Sequence, residues 1–276
     1  MLAFAANSVL CRLALQQASI DPASFATLRL ASGALMLACM LRFKSSATIV
    51  APKVPADWVA VFMLWAYVAC FSFAYRSLPA GSGALILFGA VQLTMFSVGL
   101  WAGERFALLA WAGLALSVAG FVYLVAPGLA APEPIGAALM ALAGIAWGVY
   151  SLRGRKVADP LAATASNFLR ATPLALVVSV AMMPDQHGAA SGIALAVVSG
   201  ALTSGVGYVI WYAALRGLNA LRAAAVQLSV PPIAALGGAW WLAEPITARL
   251  WIASLAILGG VGLVLTARSR FAGHTP

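Results

Sequence analysis

Five charged residues fall where a long apolar sequence can least accommodate them. Arg12, Arg29 and Arg170 interrupt hydrophobic runs, and Glu104 and Glu244 close two others. An ionised side chain at the centre of a bilayer costs at least about 2.5 kcal/mol unless it is paired or reaches the interface, so these residues need partners. In the span order set out below, Arg29 lies in the outer half of the membrane and Glu244 at the outer end of a span. Arg170 lies in the inner half, on the side of Glu104. The expectation is two structural clamps, Arg29 with Glu244 and Arg170 with Glu104. A competing use for one arginine is to hold a substrate carboxylate.

Aromatic and amide residues form a second group. Tyr67, Phe71 and Tyr75 recur at steps of four, which places them on one helix face. Trp147 and Tyr150 share another run; Thr203, Ser204, Gly207, Tyr208, Trp211 and Tyr212 share a third. Asn7, Gln92 and Gln227 supply amides. Together Asn7, Tyr67, Phe71, Tyr75, Gln92, Trp147, Tyr150, Tyr208, Trp211 and Gln227 are expected to line a neutral, aromatic-walled cavity suited to an amphipathic small solute. The competing reading for Tyr75, Trp211 and Tyr212 is an interfacial aromatic belt. For the mid-span residues it is hydrogen bonding between helices. Pro231-Pro232, in the middle of an apolar run, predicts a kinked helix of the kind that recurs at transporter sites, or else a static bend. Gly81, Gly83, Gly99, Gly103, Gly144 and Gly148 are expected to let helices approach closely.

The groups that would support other chemistry are missing from the sequence. It has no Gly-x-Ser-x-Gly, no HExxH and no paired mid-span aspartates, so an intramembrane hydrolase or metalloprotease is not expected. Cys11, Cys39 and Cys70 stand in separate apolar stretches without paired spacing, and neither metal nor cofactor is expected. No acid falls at mid-span, and the two histidines, His187 and His274, lie in a loop and in the C-terminal tail. Facilitated export or exchange down the solute's own gradient is therefore expected, without an embedded proton carboxylate. A channel would usually present a ring of filter residues from several subunits, which makes a monomeric carrier the expected form.

The elements that position these residues follow from composition. The chain has 276 residues, of which 63% are hydrophobic and 8% charged. A soluble domain carries roughly 25% charged residues, so this surface must face lipid. A net charge of +9 would suggest nucleic acid in a soluble protein, but the basic residues sit singly or in threes between apolar runs. Residues 1–15 lack a basic leader, and Arg12 breaks the run, so a first span is expected there and not a signal peptide.

A span needs about 20 apolar residues, and ten such runs are present. They are Met1–Ala18, Pro22–Leu41, Trp58–Tyr75, Pro79–Gly103, Phe106–Ala126, Ile135–Leu152, Pro160–Met183, Ser191–Leu215, Ala220–Ala243 and Leu250–Ala267. With the N-terminus inside, the cytoplasmic face holds Arg42, Lys44, Lys53, Arg105, Arg153, Arg155, Lys156, Arg216, Arg222, Arg268 and Arg270. The opposite face holds Arg76 and Arg249. This bias places both termini in the cytoplasm.

The chain also repeats itself. A shift of 140 residues sets Arg76, Leu78, Trp101, Glu104, Trp111 and Gly120 on Arg216, Leu218, Trp241, Glu244, Trp251 and Gly260. One further residue aligns Arg12 with Arg153 and Arg29 with Arg170. Five spans per repeat is an odd number, so the second copy must enter the membrane inverted. The fold expected is an all-α membrane protein of ten transmembrane helices in two inverted five-helix repeats, residues 1–128 and 133–270. Such repeats are the architecture of many alternating-access carriers.

The Ala6-Asn7-Ser8 segment opening the first span, Pro22-Ala-Ser-Phe25-Ala-Thr-Leu-Arg29 opening the second, and Gly103-Glu104 after the fourth resemble the EamA family of the drug/metabolite transporter superfamily. The doubled glutamate, Glu104 and Glu244, strengthens a likeness that covers essentially the whole chain. Two features depart from the pattern. The Pro-Val common inside helices 4 and 9 is replaced by Val91-Gln92 and Pro231-Pro232, and the Trp-Gly that usually precedes the first Asn is absent. The resemblance implies ten helices in the bacterial inner membrane and export of metabolites such as amino acids. Within the family the chain looks most like the YddG-type exporters of aromatic and other amino acids. Export of drugs, sugars or nucleosides is the alternative.

Overall fold

A computed structural model describes residues 1–44, 56–101, 107–126, 128, 131–154, 157–183, 186–215, 227 and 229–272. These residues form helices α1 (Leu2–Gln16), α2 (Pro22–Lys44), α3 (Trp58–Ala74), α4 (Ala80–Trp101), α5 (Leu108–Val125), α6 (Pro134–Gly154) and α7 (Pro160–Ala181). The next helix, α8, is α-helical over Ala190–Val198, π-helical over Ser199–Val206 and α-helical again over Gly207–Leu215. It is followed by α9 (Val230–Leu242) and α10 (Ala248–Ala272). Six of these helices are long and apolar enough to cross a membrane alone; Leu2–Gln16, Trp58–Ala74, Val230–Leu242 and Ala248–Val264 are shorter apolar helices. Trp58, Trp101, Trp111, Trp240, Trp241 and Trp251 are exposed beside many exposed leucines, valines and isoleucines. Soluble monomers rarely expose apolar surface on this scale. The chain is a multi-pass membrane protein.

Scarce carboxylates are spent on helix starts. Asp21, Asp57 and Asp159 accept from the backbone N–H of Ser24 (2.8 Å), Ala60 (3.1 Å) and Ala162 (3.3 Å). Glu133 accepts from Ile135 and Gly136. In α2, α6 and α7 a proline follows the acid, supplying a preset φ where no N–H is required. These caps satisfy donors that the membrane interface would otherwise leave orphaned.

The prolines of α9 correct one expectation. Pro231 and Pro232 lie in the first turn of the helix and not within it. They begin the described helix Val230–Leu242; residues 220–226 and 228 of the expected span lie outside the described residues.

Packing is pairwise and mostly between the two halves of the sequence. α2 packs on α7, α5 on α10 and α4 on α9; α6 lies against α3 and α4, and α1 against α8 and α9. The α5–α10 contact is backbone on backbone. A Cβ at Gly113 would overlap the Gly260 carbonyl oxygen and come within 2.9 Å of Leu263 Cβ; a Cβ at Gly260 would overlap the Gly113 carbonyl oxygen and Ser117 Oγ. Small residues of this kind replace the hydrophobic drive that is lost between helices in lipid. Replacing Gly113 or Gly260 by leucine is expected to destabilise the fold by about 1–3 kcal/mol. Thermal unfolding in detergent measures this, and Leu substitution at the open Gly262, where nothing lies within 4 Å, serves as the neutral control.

Candidate functional site

At the centre of the bundle, Arg29 of α2 is completely buried. Its Nε donates to Ser204 Oγ at 3.0 Å and its Nη2 to Tyr67 Oη at 3.1 Å. The guanidinium lies 4.8 Å from the Phe71 ring centroid and 5.3 Å from that of Tyr67, within cation–π range. Asn7 of α1 extends the network: its Nδ2 donates to Ser204 Oγ (3.3 Å), and its Oδ1 accepts from Ser199 Oγ (2.8 Å) and from Thr203. One chain of hydrogen bonds thus links α1, α8, α2 and α3.

The π-helical turns of α8 make this possible. Ser199 and Ser204 are five residues apart, a spacing that α-helical turns send to different sides and i→i+5 turns bring back together. Both hydroxyls thereby face Asn7. The absence of a side chain at Gly200 admits the backbone of α2, since a Cβ there would overlap the Arg29 carbonyl oxygen and Ser32 Oγ.

Aromatic rings enclose the network. Trp147 contacts Tyr67 and Tyr208, each with centroids 4.9 Å apart, and Tyr150 at 5.7 Å. Phe4 touches Trp147, Tyr208 and Trp211, and Phe168 touches Tyr208. Tyr67, Phe71 and Tyr75 stack in succession along α3. Several buried polar atoms have no partner: Arg29 Nη1, Tyr208 Oη, Gln227 Oε1 and the hydroxyls of Ser8 and Ser151.

Most of the aromatic residues expected at a shared site are therefore brought together. Tyr75, Trp211 and Tyr212 are buried and do not form an interfacial belt. Gln92 is placed elsewhere, on the side of α4 that faces Ser117 and Phe121 of α5 and Ile257 of α10. Gln227 is buried.

The expected Arg29–Glu244 clamp is corrected. Glu244 pairs with Arg12, Nε to Oε1 at 2.9 Å, and its Oε2 accepts from the Ala80 N–H at 2.7 Å. Arg12 Nη1 also donates to the carbonyls of Tyr75 and Arg76. Arg12 sits at the end of α1, level with the carboxylate, whereas Arg29 is taken up by hydroxyls at the centre. Ala243, left-handed at φ +53°, ends α9, and Glu244 folds back so closely that a Cβ at Gly238 would lie 2.5 Å from its Oε2. Glu104 lies outside the described residues; its proposed partner Arg170 donates to Ser166, one turn back on α7.

At the opposite end of α6, Arg153 Nε donates to Asp57 Oδ2 at 2.7 Å. Beside this more exposed pair is a cavity of about 100 Å³ lined by Tyr150, Thr164, Asn167 and Tyr212. The hydrogen bond from Arg153 holds the Asp57 carboxyl below its usual range, aided by the Ala60 N–H and opposed by partial burial.

Sequence reasoning missed Ser199 and Arg12. Nothing in an apolar run announces π-helical turns, so the pairing of Ser199 with Ser204 had no signal. Arg12 did have one: it is the arginine that ends its span on the side of Glu244.

The described residues thus form an all-helical membrane bundle with a buried polar centre walled by aromatic rings. The model of the EamA-like transporter family matches residues 134–266. The chain is also 50% identical over 270 residues to the uncharacterized protein PA1977 of Pseudomonas aeruginosa, covering 97% of this chain and 92% of that one. A protein of known crystal structure, 20% identical, superposes over 97% of both chains with a TM-score of 0.69, which bears on the fold alone. The chain belongs to the EamA-like transporter family, whose members are membrane transporters and not enzymes.

Removing one partner of the half-buried Arg12–Glu244 pair strands the other charge, so Glu244→Ala is expected to cost about 3 kcal/mol. A double-mutant cycle should find coupling between positions 12 and 244 and none between 29 and 244. The Asp57 pair behaves differently with pH. Its carboxyl titrates lower in the folded protein, so its contribution is present above the unfolded value of about 3.9 and is lost as pH falls through the folded one. Thermal unfolding of Asp57→Asn should therefore fall below the parent at pH 7, and the gap should narrow progressively as pH drops below about 3.9.

Proposed function

We propose that this protein exports small metabolites, amino acids including aromatic ones among them, across the bacterial inner membrane by alternating access. In this reading ten helices span the bilayer as two inverted repeats, 1–128 and 133–270, with both termini cytoplasmic.

The observation that carries the reading is the packing order. Exchanging each of α1–α5 with the helix five places later carries the larger helix contacts onto one another, while the smaller α1–α4, α4–α10 and α4–α5 contacts have no comparable counterpart among the described residues. α2–α7, α4–α9 and α5–α10 map onto themselves. The α3–α6 contact becomes α8–α1, α4–α6 becomes α9–α1, and α3–α7 becomes α8–α2. The central site draws on both halves, Asn7, Arg29 and Tyr67 from the first and Trp147, Ser204 and Tyr208 from the second. A rocking motion of one half on the other would therefore act directly on it.

The two ends differ in a way that suits one state of such a cycle. The end carrying Arg12 and Glu244 is closed by a pair whose side chains are 13% and 10% exposed. At the other end the Arg153 and Asp57 side chains are 46% and 37% exposed, beside an open cavity. By the charge bias of the loops, the open end faces the cytoplasm, where an exporter loads.

Purified protein in proteoliposomes is expected to catalyse saturable counterflow of labelled phenylalanine that unlabelled amino acids compete. Flux that rises linearly with concentration would indicate a pore, and flux abolished by collapse of a pH gradient alone would indicate proton coupling. Reporters fused after residues 44 and 156 are both expected in the cytoplasm.

A further inference from the structure

We infer that Arg29 is a substrate anchor: its guanidinium binds the carboxylate of a small monocarboxylic acid whose apolar or aromatic body lies against the rings of Tyr67, Trp147 and Tyr208. The inference rests on the transport reading only in taking the centre of the bundle as the substrate path.

It starts from a charge without a counter-ion. The chain has seven acidic residues, and the five among the described residues are all engaged away from Arg29. Asp21, Glu133 and Asp159 cap helices, Asp57 caps α3 and holds Arg153, and Glu244 holds Arg12 and the Ala80 N–H. The hydrogen-bond partners of Arg29 are the neutral hydroxyls of Ser204 and Tyr67. Its Nη1 has no partner although the residue is 0% exposed. A guanidinium presents five N–H donors in a planar fork, and here the Nη1 donors are unused in an environment that punishes an unpaired charge. A carboxylate is the group that matches such a fork in geometry and sign.

Two further observations bear on the ligand. Tyr208 Oη, on a ring in contact with Trp147, is also buried and makes no close hydrogen bond, its polar neighbour being the Tyr67 hydroxyl that already accepts from Arg29. Among the described residues the site offers one cation, because Arg12 is committed to Glu244. One positive charge in low dielectric balances one negative charge; a phosphate dianion would leave a net charge buried.

The test is equilibrium binding to the full chain in lipid nanodiscs, using four probes that share one ring: L-phenylalanine, 3-phenylpropionate, phenylalaninamide and phenethylamine. The two carboxylates are expected to bind at least about tenfold more tightly than the two cations, the scale of one charge-assisted hydrogen bond. In Arg29→Gln the preference should vanish, and in Arg29→Lys it should persist at reduced affinity. Equal binding of all four probes by the parent chain, no measurable binding of either carboxylate, or an unchanged preference in a monodisperse Arg29→Gln would each overturn the anchor. If Arg29→Gln does not fold, the probe series on the parent decides. Saturable flux without carboxylate preference would leave the transport reading standing and remove the anchor. A carboxylate preference that depends on Arg29, without flux in either direction, would do the reverse.

Discussion

A permanently charged guanidinium in a dry interior is the constraint around which the rest of this bundle is arranged. Burying Arg29 in hydrocarbon would be prohibitive if its donors faced only alkyl chains. The chain meets that demand with hydroxyls and ring faces: Ser204 and Tyr67 accept its hydrogen bonds, and Phe71 and Tyr67 offer their π-clouds. Each partner imposes a further requirement. Ser204 reaches Arg29 because α8 adopts π-helical turns, which also bring Ser199 to Asn7. Those turns lie close against α2 because position 200 has no Cβ. The polar centre and the helix packing are one solution.

The ends of the bundle divide a different task. Arg12 and Glu244 tie α1, the α3–α4 connection and the end of α9 into a knot with four hydrogen bonds, all partly shielded from water or made to backbone. Arg153 and Asp57 hold α6 to the start of α3 by a single exposed contact, and exposed ion pairs contribute little to stability. The asymmetry matters because, among the described residues, the centre carries no carboxylate whose protonation could switch its affinity. In the proposed cycle, opening and closing would turn on which end pair is intact, and the more exposed Asp57 pair is the cheaper one to break.

Much of the helix layout was readable from hydropathy, since spans in lipid must be long, apolar and internally hydrogen-bonded. The Tyr67–Phe71–Tyr75 face was readable too, because steps of four survive any packing. Pairings were harder. Arg29 and Arg12 both interrupt apolar runs on the side of Glu244, and only depth in the bundle separates the arginine that meets a carboxylate from the one that does not. Pro231 and Pro232 begin the described helix Val230–Leu242, and the part of the ninth apolar run over 220–226 lies outside the described residues. The π-helical stretch has no compositional mark, so its serines could not be joined on paper. Gln92 shows the limit of periodicity: a mid-span amide must avoid lipid, but two interiors were available, and it faces the α5–α10 side.

The lack of a neutralising acid also bears on energetics. A carrier built on a buried glutamate can discharge itself by taking up a proton, so its empty form crosses the membrane neutral. Arginine has no such option at physiological pH. An empty site centred on Arg29 holds an uncompensated charge, and reorienting it through a low-dielectric state is unfavourable. In the proposed anchor, a bound monoanion would offset that charge and lower the barrier for the loaded form relative to the empty one. A carrier with this bias exchanges solute faster than it releases it in net flux. In the proposed carrier, solute gradients and not protons would set the direction of transport, in keeping with the described acids, which all lie at helix ends.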